Sequence, residues 1–403
     1  MYFFYYLPIG VDAETRRFPI FTTLFTVICV AVFIARRVLG EGAAFDVGNY
    51  IYYPGWSSPL TALAAGFLHF GYFHIVSNLI YLVLFGRYLE DRLGPAMFAL
   101  MFMGSTLVGN LAQGWYNVHV LETGAGIIGA SGAVSGIMGA FLIRLRHHHV
   151  KVAYWVFAPL LATNRAGTVQ IHVVFALALW VLIQVVRGLV QLEGTGVNVA
   201  YVTHLVGFAF GVGAVVATGG WRLGRIDGHM VKAKRYLRRG EFYGALDELT
   251  NYSIARPDDG EAQAALARTR AQCADAAGAR DSYRAACECF LRAGRRGEAE
   301  RTFQEATRSF PDFVLSAAAH LDLCFGLERN LKPVVALCAY EGFGRVYHDH
   351  AEAPFALLRA ANLHAKQGDI ARAKRCYERI VSGYPDDDWV EFAAEHARRL
   401  GMS

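Results

Sequence analysis

Charge is scarce in this chain: only 18% of its 403 residues are Asp, Glu, Lys or Arg, against 54% that are hydrophobic. Soluble globular domains carry about 25% charged residues, so the chain as a whole is not expected to be soluble. The scarcity is uneven. Up to Gly220 the sequence is a series of apolar runs close to the roughly 20 residues needed to span hydrocarbon. From Trp221 onward it becomes charged and alanine-rich. Two domains are therefore expected, a membrane unit over residues 1–220 and a soluble unit over 221–403.

Other absences narrow the reading further. The opening Met1-Tyr-Phe-Phe-Tyr-Tyr-Leu-Pro8 has no basic region and no small-residue cleavage site, so its retention is expected, with tyrosines suited to a membrane interface. Seven cysteines make an odd, irregularly spaced set, and six of them (Cys273, Cys287, Cys289, Cys324, Cys338, Cys376) fall in the soluble half, which fits reduced thiols rather than a disulfide framework. No Cys-x-x-Cys occurs, and Cys287 and Cys289 are one residue apart, so neither a metal nor a cofactor is expected. A net charge of +5 requires no nucleic-acid partner, because basic residues beside membrane spans have a topological origin.

What is present begins with six apolar runs, at roughly 18–38, 70–89, 96–117, 131–146, 168–187 and 201–219. Arg16, Arg17, Arg87, Arg92, Arg144, Arg146, Lys151, Arg165, Arg222, Arg225, Lys232 and Lys234 fall on one side of these spans, and Arg36, Arg37 and Arg187 on the other. The positive-inside rule then predicts cytoplasmic termini and a cytoplasmic soluble half. In that orientation the second, fourth and sixth spans all run inward from the outer face, and each carries its polar motif at its start. His69, His74 and Asn78 open the second, Ser131 the fourth and His204 the sixth.

A serine needs a base to become a nucleophile, and histidine titrates near neutrality. Ser131 and His204 supply that pair, although either alone could be a packing or satisfied polar residue, as Ser135 is expected to be. Gly132, Gly136 and Ala140 recur every four residues along the fourth span, and Gly207 and Gly211 do so along the sixth, which permits close backbone approach. His74 and Asn78 lie one helical turn apart and both can donate hydrogen bonds, as an oxyanion requires. The bland alternative is a polar plug, favoured for His69. A zinc protease is disfavoured, since the second span offers no acid before Glu90 and Asp91 at its far end.

With His69-x4-His74-x3-Asn78, Glu90-Asp91-Arg92-Leu93-Gly94, Gly129-Ala130-Ser131-Gly132 and His204-x2-Gly207-x3-Gly211 in order at the span ends, residues 18–219 resemble the rhomboid intramembrane serine proteases. The resemblance implies Ser131 as nucleophile, His204 as base in a dyad without an aspartate, His74 and Asn78 as oxyanion donors, and structural roles for Glu90 and Arg92. His69, Gly132, Gly207 and Gly211 support the site. Two departures stand out. The first loop has Trp56-Ser57-Ser58 where relatives commonly carry Trp-Arg, and Ser135 stands where they often hold a bulky aromatic packed on the catalytic histidine.

In the soluble half Gly240, Ala245, Leu249 and Pro257 share their spacing with Gly294, Ala299, Phe303 and Pro311, and with Gly368, Ala373, Tyr377 and Pro385. The phrase resembles a tetratricopeptide (TPR) repeat, with degenerate copies near 265–286 and 332–347. The whole is read as all-α: a six-span, rhomboid-like polytopic membrane bundle followed by a TPR-like solenoid. Expected partners are the lipid bilayer, a transmembrane protein substrate, and a protein or peptide on the repeats. The expected location is multi-pass in a bacterial inner membrane. The rival is an inactive rhomboid-like scaffold that binds membrane helices and recruits partners through its repeats.

Overall fold

The computed structural model describes residues 3–39, 47–158, 163–192, 200–330 and 332–399. These divide into two compact units, Met1–Val231 and Lys232–Ser403. The boundary falls inside a helix, Gly220–Arg239, whose first half packs on the membrane unit through Arg144 and Asp227, 2.7 Å apart.

Each of the six apolar runs becomes a helix. They are α1 (Ile20–Leu39), α3 (Tyr72–Leu93), α4 (Pro95–His119), α5 (Ser131–Arg144), α6 (Val173–Leu192) and α7 (Tyr201–Ala217), with a short α2 (Pro59–Ala64) in the first loop. Local chemistry sets the breaks. Gly94, at φ +82°, closes α3, and Pro95 starts α4 where a missing N–H costs nothing. Gly219, at φ +72°, ends α7, and the chain turns by 82° into α8 (Gly220–Arg239). Four of these helices are long and apolar enough to cross a membrane alone, and α7 with α8 makes up to five. At about 1.5 Å per residue, the 14 residues of α5 reach only about 21 Å, short of the roughly 30 Å hydrocarbon thickness.

That short helix is the centre of the bundle. Eleven of its fourteen residues are buried, against α3, α4 and α7. The outer helices expose apolar side chains such as Phe175, Leu179 and Leu182, as lipid-facing helices must, because hydrocarbon is as apolar as leucine. The unit is an integral membrane bundle. The end of the bundle where α1 begins is tied by Glu90, whose buried carboxylate accepts from the N–H groups of Phe21 and Thr22 at 2.8 Å and from the Thr22 hydroxyl at 2.7 Å. Asp91 accepts from Arg16 and Arg17 N–H in the same way. These carboxylates satisfy first-turn and preceding amides of α1 that no intrahelical carbonyl can reach.

One element has no counterpart in the apolar pattern. Phe3–Val11 (β1), His149–Ala158 (β2) and Thr163–His172 (β3) form an antiparallel sheet in that order. Pro8, which has no N–H, sits on the edge strand β1 beside a bulge. The last strand takes residues that hydropathy assigns to the start of the fifth span, and the helix begins at Val173 instead.

The second unit is entirely helical among its described residues, from the end of α8 through α9 (Phe242–Ala255), α10 (Gly260–Gln272), α11 (Ala276–Arg292), α12 (Arg296–Ser309), α13 (Ala317–Arg329), α14 (Pro333–Val346), α15 (Ala353–Lys366), α16 (Ile370–Gly383) and α17 (Trp389–Arg399). The recurring phrase accounts for the hairpins. Gly240, Gly294 and Gly368 adopt φ of +74°, +70° and +80° between successive helices, a conformation in which any side chain is strained. Ala245, Ala299 and Ala373 are fully buried where the helices touch, with Leu249, Phe303 and Tyr377 one turn on. In the degenerate copy Ala274 takes the left-handed position, at φ +62°.

Candidate active site

α1 and α3 run antiparallel. Phe33 and Arg37 near the end of α1 contact Tyr72 at the start of α3, while Glu90 holds the opposite ends together. His69, His74 and Asn78 therefore sit at the Arg36–Arg37 end of the bundle, where the Arg36 guanidinium donates to the His69 carbonyl at 3.4 Å.

The segment before α5 reaches this end as well. Ile127 exchanges backbone hydrogen bonds with Tyr52, and Gly129 N–H donates to the Ala65 carbonyl at 2.9 Å. Gly129 has φ +120°, and a Cβ there would lie 2.7 Å from His74 Nε2 and 3.9 Å from Asn78 Nδ2. Only glycine fits, both sterically and conformationally. Two residues later Ser131 begins α5 without a side-chain cap, so its first-turn N–H groups and the positive end of the helix dipole are available at the serine. Asn78 is 7% exposed and its Nδ2 has no hydrogen-bond partner among the described residues. A buried amide left unpaired costs about 1–3 kcal/mol, so such a donor points to a functional role.

α5 and α7 meet backbone to backbone. A Cβ on Gly207 would collide with the Gly132 carbonyl oxygen, and one on Gly211 with that of Gly136. Gly132 in turn faces the Thr203 methyl, at 2.7 Å from its Cβ position. Ser131 and His204 each adjoin a residue of this contact, so they occupy the same end of the same helix pair. No hydrogen bond joins the Ser131 hydroxyl to His204 among the described residues. Instead His204 Nδ1 stands 2.8 Å from the amide oxygen of Gln184 on α6, with Trp180 and Tyr201 rings each 6.2 Å from it. Catalytic hydrogen bonds are often long before substrate arrives. Ser135 donates to the Ser131 carbonyl at 2.6 Å, which is a helix-packing role.

His69 lies beside His74, ring to ring at 5.0 Å, and is 2% exposed. Its tie to the candidate site is through the His74 ring. Gln184 belongs to none of the sequence motifs; the signal that could have found it is a lone amide well inside an apolar helix, which needs a partner there.

Elsewhere the polar clusters serve the packing of their own elements. Asp12 is hydrogen-bonded by His148 and His149 side chains at 3.0 Å and by the His149 N–H at 2.7 Å. Burial opposes its charge, but these hydrogen bonds and the nearby imidazole hold its carboxyl down at about 2. His148 and His149 thus tie the start of β2 to the residue that follows β1. Cys287 and Cys289 face different ways, one toward the Ala299 carbonyl and the other toward that of Pro257, and all seven cysteines are free. Glu341, His364 and Cys376 do bring ligand atoms within 4.8 Å of one another, a set that could hold a soft divalent ion, with His364 Nε2 already 2.7 Å from Glu341.

Residues 57–220 match the family model of the rhomboid domain, and residues 355–387 that of the tetratricopeptide repeat. The membrane unit is a rhomboid domain. The chain is 30% identical over 120 residues to the rhomboid protease GlpG of Yersinia enterocolitica, covering 28% of this chain and 39% of that protein. It is also 30% identical over 102 residues to the mitochondrial Rhomboid protein 1 of Saccharomyces cerevisiae, covering 25% and 29%. These matches span less than two fifths of either relative's own length. For the helical unit, YrrB, described as a TPR protein with an unusual peptide-binding site, is matched over 46% of this chain and 96% of that one at 14% identity and a TM-score of 0.21. The repeat assignment stands on the matched repeat and on the hairpins. The rhomboid domain supplies the membrane bundle, and the repeats the helical unit that follows.

Proposed function

We propose that the chain is an intramembrane serine endopeptidase that cleaves transmembrane helices near the outer face of a bacterial inner membrane, with both termini and the repeats in the cytoplasm. The observation that carries this reading is the backbone contact of α5 with α7 at Gly132–Gly207 and Gly136–Gly211, which brings Ser131 and His204 to one end of the bundle beside the unpaired Asn78 amide.

In this mechanism the Ser131 oxygen attacks the scissile carbonyl carbon while His204 Nε2 takes the hydroxyl proton. The resulting oxyanion lies against Asn78 Nδ2, His74 and the first N–H groups of α5, donors that are already oriented and need not reorganise. Collapse expels the amine, which receives the proton from His204, and leaves an ester on Ser131. Water, deprotonated by His204, then hydrolyses the ester. A substrate helix must unwind to expose a carbonyl, and in lipid its hydrogen bonds resist that, so small or helix-breaking residues are expected at the cleavage site. The repeats would raise the local concentration of a substrate tail or an adaptor.

Purified protein in liposomes with a single-span reporter tests the reading. Wild type and Ser135→Ala should cut it, and Ser131→Ala and His204→Ala should not. Binding of the reporter without cleavage by wild type would favour a non-catalytic scaffold instead.

A further inference from the structure

A general-base imidazole works only if the right nitrogen carries the proton. Nε2 must be bare to accept from the serine, so Nδ1 must hold the hydrogen, and something must fix that tautomer and the ring's orientation. Nothing on α5 does so: Ser135, the small residue one turn below Ser131, is bonded to the Ser131 carbonyl. The groups that hold His204 come from elsewhere.

We infer that Gln184 is the positioning residue of the base, the neutral third member of a Ser131–His204–Gln184 relay; this rests on the protease reading above. Its Oε1 lies 2.8 Å from His204 Nδ1. An amide oxygen can only accept, so this contact requires hydrogen on Nδ1 and leaves the Nε2 lone pair free. When the serine proton moves to Nε2, the Nδ1–H bond to the amide persists and strengthens, since its donor is now charged. Within α6, Trp180 lies four residues before Gln184 and therefore on the same face. Its ring is 6.2 Å from that of His204 and 5.8 Å from that of Phe208. One face of α6 thus supplies both the polar and the apolar backing of the base.

The choice of an amide has a physical reason. A carboxylate would stabilise the imidazolium more, but inside an apolar bundle its own desolvation is costly and it would hold a permanent charge. A neutral acceptor fixes the tautomer without that cost. The alternative role for Gln184 is adhesion, an interhelical hydrogen bond that joins α6 to α7 and does nothing to the chemistry.

The two roles separate in kinetics. The experiment measures reporter cleavage in liposomes by full-length wild type, Gln184→Met and Gln184→Glu across a pH series, with Ser131→Ala as the blank. Relay function requires Gln184→Met to lower kcat by about 10- to 100-fold, the worth of one hydrogen bond to a charged group, with KM nearly unchanged. Gln184→Glu should move the acidic limb of the pH–rate profile to higher pH, because a carboxylate on Nδ1 favours the protonated imidazole. Among the described residues the other ionisable groups near His204 are His74 on α3 and Tyr201 on its own helix, and neither substitution alters them. Adhesion alone predicts wild-type kcat for folded Gln184→Met, because the bond then joins helices without acting on the base. If Gln184→Met does not fold, Gln184→Asn, whose amide is one methylene shorter and cannot sit at the same place on Nδ1, takes its part in the kcat comparison and should show the same loss with KM nearly unchanged. Wild-type kcat in Gln184→Met, or an unshifted acidic limb in Gln184→Glu, overturns the relay. Failure of wild type to exceed the Ser131→Ala blank would instead overturn the protease reading on which it rests.

Discussion

Gly129 and His74 are in contact across the mouth of the bundle, with the Gly129 Cβ position only 2.7 Å from His74 Nε2. This contact aligns the backbone leading into Ser131 with the α3 face that carries Asn78. Gly129→Ala combines that clash with a φ of +120° that a side chain rarely adopts. It should reduce kcat by about 100-fold or more, the usual effect of disturbing an oxyanion donor, while the protein still inserts. Steady-state cleavage of the reporter measures it, and an unchanged kcat would remove the Gly129–His74 contact from the site's architecture.

Glu90 should matter to stability. Glu90→Ala leaves the Phe21 and Thr22 amides and the Thr22 hydroxyl without their acceptor, a loss of about 2–4 kcal/mol for several buried hydrogen bonds to a charge. Asp91→Ala, at an exposed pair of amides, should cost well under half of that. Thermal unfolding of both variants in detergent gives the comparison, and equal effects would contradict the ranking.

Much of this organisation is legible in sequence because hydropathy and helical spacing are local signals. The six helices follow the apolar runs, and Gly240, Gly294 and Gly368 stand out because a left-handed turn between helices admits little else. The sheet is not legible, since Tyr6 pairs with Tyr154 and nothing in either segment names a partner so far along the chain. The same holds for Glu90, an acid at the end of a span whose role as cap for α1 depends on residues almost seventy positions earlier. Gln184 shows the limit from the other side: a single amide in an apolar run is visible, but its target on α7 is a tertiary fact.

The helical unit contains a pH-sensitive core. His320 is fully buried, with Nδ1 accepting from the Leu315 N–H and Nε2 beside the Ala339 carbonyl. Burial pushes its pKa down from 6.5 to about 4. The unfolded chain therefore binds a proton that the folded one refuses, so stability is full above about pH 6.5 and falls as pH drops toward 4, by up to about 3 kcal/mol. Amide exchange in α13 of the full chain should accelerate over that window, and a His320→Gln variant should lose most of the dependence. An identical pH response in the variant would assign it to other groups.

Truncation separates the two units. Because Asp227 pairs with Arg144 and a Cβ on Gly224 would meet the Arg144 carbonyl at 2.8 Å, the rhomboid domain should be cut after Val231 rather than before α8. The 1–231 chain is expected to cleave a generic single-span reporter at a rate within about threefold of full length, yet to process its native substrate poorly in cells, where recruitment sets effective concentration. Equal processing of all substrates at matched expression would leave the repeats with a stabilising role only.

The central claim, that Ser131 is the activated nucleophile, is tested most directly by covalent trapping. An alkyl fluorophosphonate added to the full-length protein in liposomes forms a phosphorus–oxygen bond with a nucleophilic serine and releases fluoride, and peptide mass spectrometry locates the adduct. The predicted result is a single modified residue, Ser131, with labelling unchanged in Ser135→Ala and lost in His204→Ala. Labelling at Ser135, or labelling of Ser131 that persists in His204→Ala at the wild-type rate, would contradict it.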